Sequence, residues 1–465
     1  MDKIHREKRF LPGLFAMTAL LLAAVTGGCL PAGGHQRIGD LQRLPQNPLA
    51  YVAEETACQP LFPEACRKAQ TAGFLEKFFL PWHVAGPLPA TEKPFWAIQW
   101  AREHTVFSEN LRPLTADRLE KLIHQAAPET YPSLDRKGIT VRRCDLRALP
   151  TQRPLLNNPA AAGQGFPFDN LQHAALPANT PLKVTHVSRD GAWVFVETAA
   201  LYGWLPATCV AWVNEALASA FAKGPYLAVT GDEVPVTDDQ GIFRFHAIIG
   251  NILPVASAGD GNHRVLIAVA DGDRQAYLVY AEIAKDDSAL FPLFLSPQNL
   301  ATVAERMMGQ SYGWGESFGN RDCSATIRDL FAPFGIWLPR NSSRQAKEGE
   351  VIPLAALKPA RKEERILETA VPFLTLIRIP GHIMLYLGHH EGRAAVLHTL
   401  WGVRTKNWRG KEGRWLVGET VITTLQPGME RNSPWYRIGD LRERVASMNT
   451  PAVCDGFQKM PGERD

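Results

Sequence analysis

The sequence predicts a multidomain α+β protein: a mainly helical N-terminal segment, two small β-barrels, and a C-terminal domain in which one helix precedes an antiparallel meander. Three observations predict it. A chain of 465 residues has room for about three domains at roughly 150 residues each. Short alternating apolar runs with Gly-bearing turns occupy the middle, and a helix-period apolar stripe followed by strand-like runs occupies the last third. Apolar residues make up 45% and charged residues 21%, so each domain can bury an ordinary core and global disorder is excluded. Fifty basic against forty-seven acidic residues leave a net charge of +3, which gives no footprint for nucleic acid.

At the N-terminus Lys3, Arg6, Lys8 and Arg9 precede an apolar stretch from Leu14 to Val25. Those twelve residues are too short to cross ~30 Å of hydrocarbon, but they suit the apolar region of a signal peptide. Thr26-Gly27-Gly28-Cys29 follows, small residues directly before a cysteine. It resembles a bacterial lipobox, with Thr26 where leucine is usual. Residues 1–29 are therefore expected to direct export to the periplasm or cell envelope. Lipid attached at Cys29 would hold the protein to the membrane; a plain signal peptide cut nearby is the alternative. No second apolar run of this kind occurs, so the mature chain is expected to have no transmembrane helix.

Residues 36–155 read as the helical and irregular N-terminal domain. Asp117 followed by Glu120, with Leu119, Leu122 and Ile123 behind, has the form of a capped amphipathic helix, and 95–106 is a second helix. The Arg-, Pro-, Asn- and Gly-rich stretch 147–167 reads as a linker. Residues 165–218 and 222–290 each hold a strand, a Gly-bearing turn, a β-branched strand and an aromatic strand, a divergent tandem repeat of small barrels. The last domain spans 294–440 and a tail spans 441–465. A helix is expected over 301–308. Another follows Asp322, where Ile327, Leu330, Phe331 and Phe334 form one apolar face that Gly335 ends. Strands are expected at 373–379, 382–387, 394–400 and 415–423.

No CxxC pair or Cys/His ligand spacing is present, which argues against a zinc site; no cofactor is expected. Cys58 and Cys66 can pair in an oxidising envelope, though no spacing dictates it, and the count leaves room for a lone reactive thiol. Cys323 is the candidate. It stands at the first turn of a helix, where partial positive charge stabilises a thiolate and can lower the pKa to ~3.5–7.5. His382 and His398 lie eight residues on either side of His390. A hairpin symmetric about His390 sets the two rings on one sheet face, with Cβ atoms ~4.5–5.5 Å apart. One imidazole then takes the thiol proton while the other orients it. His389 and His390 read as solvated turn residues.

Tyr312-Gly-Trp-Gly, Asp322-Cys-Ser324, Leu338-Pro-Arg-Asn-Ser342 with Gln345, Gly381-His382-Ile-Met-Leu-Tyr-Leu-Gly and Leu397-His398 follow one another in that order. Together they resemble the NlpC/P60 cysteine peptidases, papain-like cell-wall hydrolases. The upstream layout is similar to the subgroup with two SH3-like barrels that cleaves γ-D-glutamyl–diamino acid bonds in murein peptides. The resemblance implies Cys323 as nucleophile, His382 as general base and His398 as the orienting third member. It implies further that Tyr312 lines the site near the scissile carbonyl and that Asp322 holds a free N-terminal L-alanine amine. Ser324 and Ser342 would contact the D-glutamyl part, and Tyr202 is the candidate contribution of the first barrel. The partner is then a murein peptide, with no metal required, in peptide recycling rather than cutting of the intact wall. Glu316 departs from the pattern where a second glycine is common, and Ala325 replaces another glycine. The strand before His382 follows Glu368-Thr-Ala-Val-Pro rather than the frequent Pro-Gly-Asp turn. A thiol acyltransferase or amidase of the same fold, and a non-catalytic wall-binding protein, are the rival readings.

Overall fold

The fold is that of a computed structural model, which describes residues 37–451 apart from 89, 90, 92 and 260. The expected signal segment with Cys29, and Cys454, lie outside the described residues.

Aromatic side chains decide where the N-terminal helices go. Helix α1 (Glu64–His83) follows Pro63 and carries buried Phe74, Phe79 and Trp82. Phe74 meets Trp337 edge-on at 5.4 Å between ring centroids, Phe79 lies 5.8 Å from Tyr226, and Trp82 Nε1 donates to the Gly138 carbonyl at 2.9 Å. One helix therefore packs on all three parts of the chain that follow. Helix α2 (Trp96–Glu103) falls within its expected span. Helix α3 (Ala116–Ala126) forms as expected, but its cap is Thr115, whose side chain accepts from the Arg118 amide at 3.4 Å. Asp117 sits two residues too far along and serves the first turn by charge instead.

The first β-rich part is a seven-stranded antiparallel sheet in the order β3-β2-β6-β5-β4-β1-β7. Its strands are β1 (Arg136–Thr140), β2 (Cys144–Arg147), β3 (Gln172–Leu176), β4 (Pro181–Val187), β5 (Trp193–Glu197), β6 (Tyr202–Pro206) and β7 (Val210–Trp212). Two of them precede residue 165, where the sequence puts the start of the barrel. Both carry charges that disguise a strand. Arg147 is nonetheless buried, paired with Asp169 at 2.7 Å and donating to Gln172 Oε1 at 2.7 Å. The expected linker is thus an irregular excursion inside this sheet. Cys144 and Cys209 form a disulfide that ties β2 to the entry of β7. Cys66 is also disulfide-bonded, but not to Cys58, which is free and exposed while Cys66 is buried in the first turn of α1.

Helix α4 (Glu215–Phe221), capped by Asn214, leads to the second β-rich part. Strands β8 (Tyr226–Val229), β11 (Ile252–Ala258), β12 (Asn262–Ala270), β13 (Ala276–Ala284) and β14 (Ser288–Leu290) run in the order β13-β12-β11-β8-β14, with β9 (Val234–Thr237) and β10 (Phe243–Ala247) paired separately. Neither β-rich part closes into a ring of strands; both are open sheets rather than the barrels expected.

In the last domain helix α5 (Pro297–Glu305) is capped by Ser296, and helix α6 (Cys323–Phe331) by Asp322. The apolar face read from the sequence holds: Ile327, Leu330, Phe331 and Phe334 are buried in one cluster with Leu385, Leu397 and Ile422 of the sheet. Each such side chain contributes about 1.5–3 kcal/mol on burial, so the stripe fixes α6 against the strands. Gly335 ends the helical stretch at φ +74°. The sheet runs β15-β21-β16-β17-β18-β19, from β15 (Glu350–Pro353), β16 (Leu376–Ile379), β17 (His382–His390), β18 (Arg393–Asn407), β19 (Glu412–Thr424) and β21 (Ser447–Thr450), with β20 (Tyr436–Ile438) on β18 and helix α7 (Pro359–Thr369) beside it. Strand β16 starts later than expected because Phe373 takes a left-handed φ of +62°. Strand β21 shows that the expected tail contributes to the sheet. Among the described residues no helix is long and apolar enough to cross a membrane.

Candidate active site

Asp322 caps α6, its Oδ1 accepting from the Ala325 amide at 2.9 Å, and this places Cys323 as the first helical residue. The sulfur is buried, and the backbone amides of Ser324 and Ile383 face it and favour its anion. Ile383 directly follows His382, so strand β17 brings that imidazole to the start of α6. Burial first, and then the Asp322 carboxylate, push the Cys323 thiol up to about 12. The lowering expected at a helix start is outweighed. The resting site holds a neutral thiol.

The two histidines meet, though not by the symmetry expected. The hairpin turns at Glu391 and Gly392, both at positive φ, and a bulge between Tyr386 and Gly388 shifts the register. Leu385 pairs with Leu397, which places Met384 opposite His398 and His382 on the same strand face, one diagonal step away. The imidazoles close that step: His382 Nε2 lies 2.8 Å from His398 Nδ1. The Thr423 hydroxyl donates to the Thr424 carbonyl at 2.7 Å and lies 3.1 Å from His398 Nε2. With its proton committed, Thr423 accepts from that nitrogen. This assigns the tautomers: His398 carries its proton on Nε2 and accepts at Nδ1 from His382 Nε2–H. His382 Nδ1 is left with a free lone pair, the form a base requires.

Asp322 has a second task. Arg340 grips its carboxylate with two bonds, Nη1 to Oδ1 at 3.0 Å and Nη2 to Oδ2 at 2.7 Å, while the Gly315 amide and the Ser324 hydroxyl donate at 3.2 and 3.0 Å. The acid expected to hold an ammonium thus already has its charge compensated. Ser324, expected on the substrate, also accepts from Arg340 Nη1 at 2.8 Å and belongs to this buried cluster. Glu316 explains one departure from the family pattern. Its φ of +66° is a glycine's conformation, and its buried carboxylate is held by Arg328 and Arg340, each at 2.7 Å. Arg328 continues to Asp329, and Arg321 joins Asp329 at 2.7 Å to Asp232 of the second sheet domain at 2.6 Å. The Ala175 amide of β3 donates to Glu316 at 3.3 Å. A continuous buried chain of charges therefore links both sheet domains to the cap of Cys323. Nothing in the structure explains Ala325.

Cys323 and His382 open on a cavity of about 860 Å³, which Tyr312 and Ser342 also line. Tyr312 is mostly buried and packs 5.6 Å from the Trp401 ring; burial, then Cys323 and Asp322, raise its phenol pKa. Tyr202 does not reach the cavity: its ring packs 6.1 Å from Phe195 in the first sheet domain. That domain instead supplies Gln172 and His173, and α2 supplies Trp96. His173 lies flat on Trp96 at 5.1 Å, with Nδ1 3.4 Å from the Tyr202 carbonyl. No periodicity marks His173 in the sequence; only the paired strands bring it to the cleft. Among the described residues no cluster of three or more His, Cys, Asp or Glu is arranged to hold a metal.

The buried rings are all shifted the same way. Burial lowers His382 to about 4 against the pull of Asp322, lowers His173 to about 4, and drives His398 well below 6.5 with help from His382. Between about 4 and the ordinary 6.5 the unfolded chain binds more protons than the folded one, so stability falls as pH falls through that window. Thermal melts between pH 7 and pH 4 check this. Melting temperature should drop below about pH 6.5 in the native protein, and less in the His173→Phe variant; a flat profile contradicts the buried neutral rings.

Residues 309–412 match the NlpC/P60 family, 14–131 the N-terminal NLPC_P60 stabilising domain, 154–206 an SH3 domain of SH3b1 type, and 214–259 an SH3 domain of SH3b2 type. Among solved structures, the chain is similar to an NlpC/P60 endopeptidase from Photobacterium damselae subsp. piscicida, with a TM-score of 0.78 at 24% identity, covering 88% of this chain and 98% of that one. An NlpC/P60 family protein from Bacillus cereus aligns over 68% of this chain and 100% of its own at 17% identity, with a TM-score of 0.46. No curated protein sequence matches.

Proposed function

From an NlpC/P60 peptidase domain preceded by two SH3-type domains and a stabilising domain, we propose that the protein hydrolyses the γ-D-glutamyl–diamino acid amide of murein peptides. The observation that carries the reading is that Cys323 and His382 line one cavity, with His398 buried behind and bonded to the His382 ring at 2.8 Å. His382 Nδ1 takes the Cys323 proton as sulfur attacks the amide carbon. The buried pair thus becomes charged only when substrate excludes water. The Ser324 and Ile383 amides, which favour negative charge beside Cys323, are placed to stabilise charge at the reacting centre. The amine leaves with the proton from His382, and water, deprotonated by the same ring, releases the acyl group from sulfur. His398 and Thr423 hold the ring through both steps.

Trp96, Phe168 and His173 wall one end of the cavity, where the acyl half of the substrate would lie. This supports a preference for released peptides with a free L-alanine amine over stems attached to glycan. We expect L-Ala-γ-D-Glu-diaminopimelate to be cleaved about 100-fold faster than its N-acetylated form, the scale of lost hydrogen bonds plus a clash at that wall. Mass spectrometry of both peptides measures it; equal turnover refutes the restriction. Residues 1–29, with Cys29 as the lipid acceptor, would place the enzyme in the periplasm or on the envelope.

A further inference from the structure

Part of the cavity lining is cationic. Arg404 on β18 and Arg414 on β19 are direct cross-strand partners, an arrangement that like charges destabilise. Arg444 joins them along the same wall, its Nη2 donating to the Pro380 carbonyl at 2.9 Å, two residues before His382. The nearby carboxylates compensate little. Glu412 stands 3.8 Å from Arg404 and 4.0 Å from Arg414, Glu443 is exposed, and Asp440 is bound by Arg442 at 2.7 Å. The crowding shows in the arginines: after burial, Arg404 is what most depresses Arg414, and Arg404 with Arg414 depresses Arg444. Arg444 in turn acts on His382, which puts it within electrostatic reach of the imidazole.

Three guanidiniums of one sign, two of them forced opposite each other, line the cavity that His382 also lines and have the chemistry to bind an anion. We infer that Arg404, Arg414 and Arg444 bind carboxylate on the departing diamino acid. The inference rests on the reaction proposed above and deepens it. The departing residue offers two carboxylates of the required chemistry, its C-terminal one and, in diaminopimelate, the one on its distal carbon. Lysine is diaminopimelate without that distal carboxylate, so the substrates themselves separate the sources.

Titration calorimetry on the full chain carrying Cys323→Ala tests the site without turnover. The probes are L-Ala-γ-D-Glu-meso-diaminopimelate, the same peptide with its C-terminal carboxyl amidated, and L-Ala-γ-D-Glu-L-Lys. At least one neutralised probe should bind about tenfold or more weakly. A deficit for the lysine peptide assigns the distal carboxylate, and a deficit for the amide assigns the C-terminal one. Arg404→Gln, Arg414→Gln and Arg444→Gln should shrink that ratio towards one, with Arg→Lys restoring part of it. Equal affinity for all three probes, absence of binding, or a ratio unmoved by the three substitutions overturns the inference. Cleavage of the same peptides by the native chain is scored separately: preferential binding without cleavage defeats the proposed reaction and leaves the anion site standing.

Discussion

Replacing Cys323 by Ala should lower turnover of L-Ala-γ-D-Glu-diaminopimelate on the order of 10⁴-fold or more while leaving the chain folded. The expectation is large because, among the described residues, Cys323 is the one thiol that lines the cavity. Asp322 beside it is locked by Arg340, and Ser324 is committed between Asp322 and Arg340. The fold should survive because the sulfur is small, and the neighbours that fix α6 are Ile327, Leu330 and Phe331. His382→Ala should match this loss, since the thiol near 12 needs a partner for its proton. His398→Ala should cost less, on the order of 10²-fold, because its ring orients and does not transfer. Mass spectrometry of peptide digests gives the rates, and circular dichroism confirms folding. Unchanged processing by Cys323→Ala would mean that the last domain binds the wall without cutting it.

Arg340→Met should destabilise the protein by about 3–5 kcal/mol, the usual result of leaving buried partners of a charge unpaired. Here two carboxylates lose the same guanidinium: Asp322, which caps α6, and Glu316, which also reaches Arg328. The released Asp322 charge would add to the repulsion that already raises the thiol, so activity should fall with stability. Urea denaturation followed by tryptophan fluorescence measures the loss, and limited proteolysis shows whether both sheet domains loosen with it. Arg340→Met combined with Glu316→Gln and Asp322→Asn should recover part of the stability, because no buried charge is then left alone. A single variant as stable as the native chain would show that water, rather than Arg340, satisfies these carboxylates.

Local signals carried much of this architecture. The apolar stripe from Ile327 to Phe334 with Gly335 behind it marks α6, and the helix start marks Cys323, because both depend on residues within a few positions of each other. The meeting of His382 with His398 was legible as an outcome but not as a mechanism. The turn falls later than His390 and the bulge takes one residue back, a net register shift of two, so the side-chain period of two keeps both rings on one face, and imidazoles are long enough to close the diagonal. Tyr202 was misplaced because a ring beginning a strand can pack inward or project outward, and only the neighbouring Phe195 decides. His173 could not be read at all, since its stacking partner Trp96 lies far away in the chain, and Glu316 showed only as a departure, since its partners Arg328 and Arg340 meet it only in the folded chain. Strands β1 and β2 were hidden by Arg136, Lys137, Asp145 and Arg147, charges that pairing and burial satisfy in three dimensions.

The ion chain from Asp232 to Asp322 leaves the mouth of the enzyme without a joint. Jaws that open and shut would have to part guanidinium from carboxylate away from water, so the width of the entrance is decided when the chain folds. Such an enzyme chooses its substrates as a sieve does, by what fits through a fixed aperture.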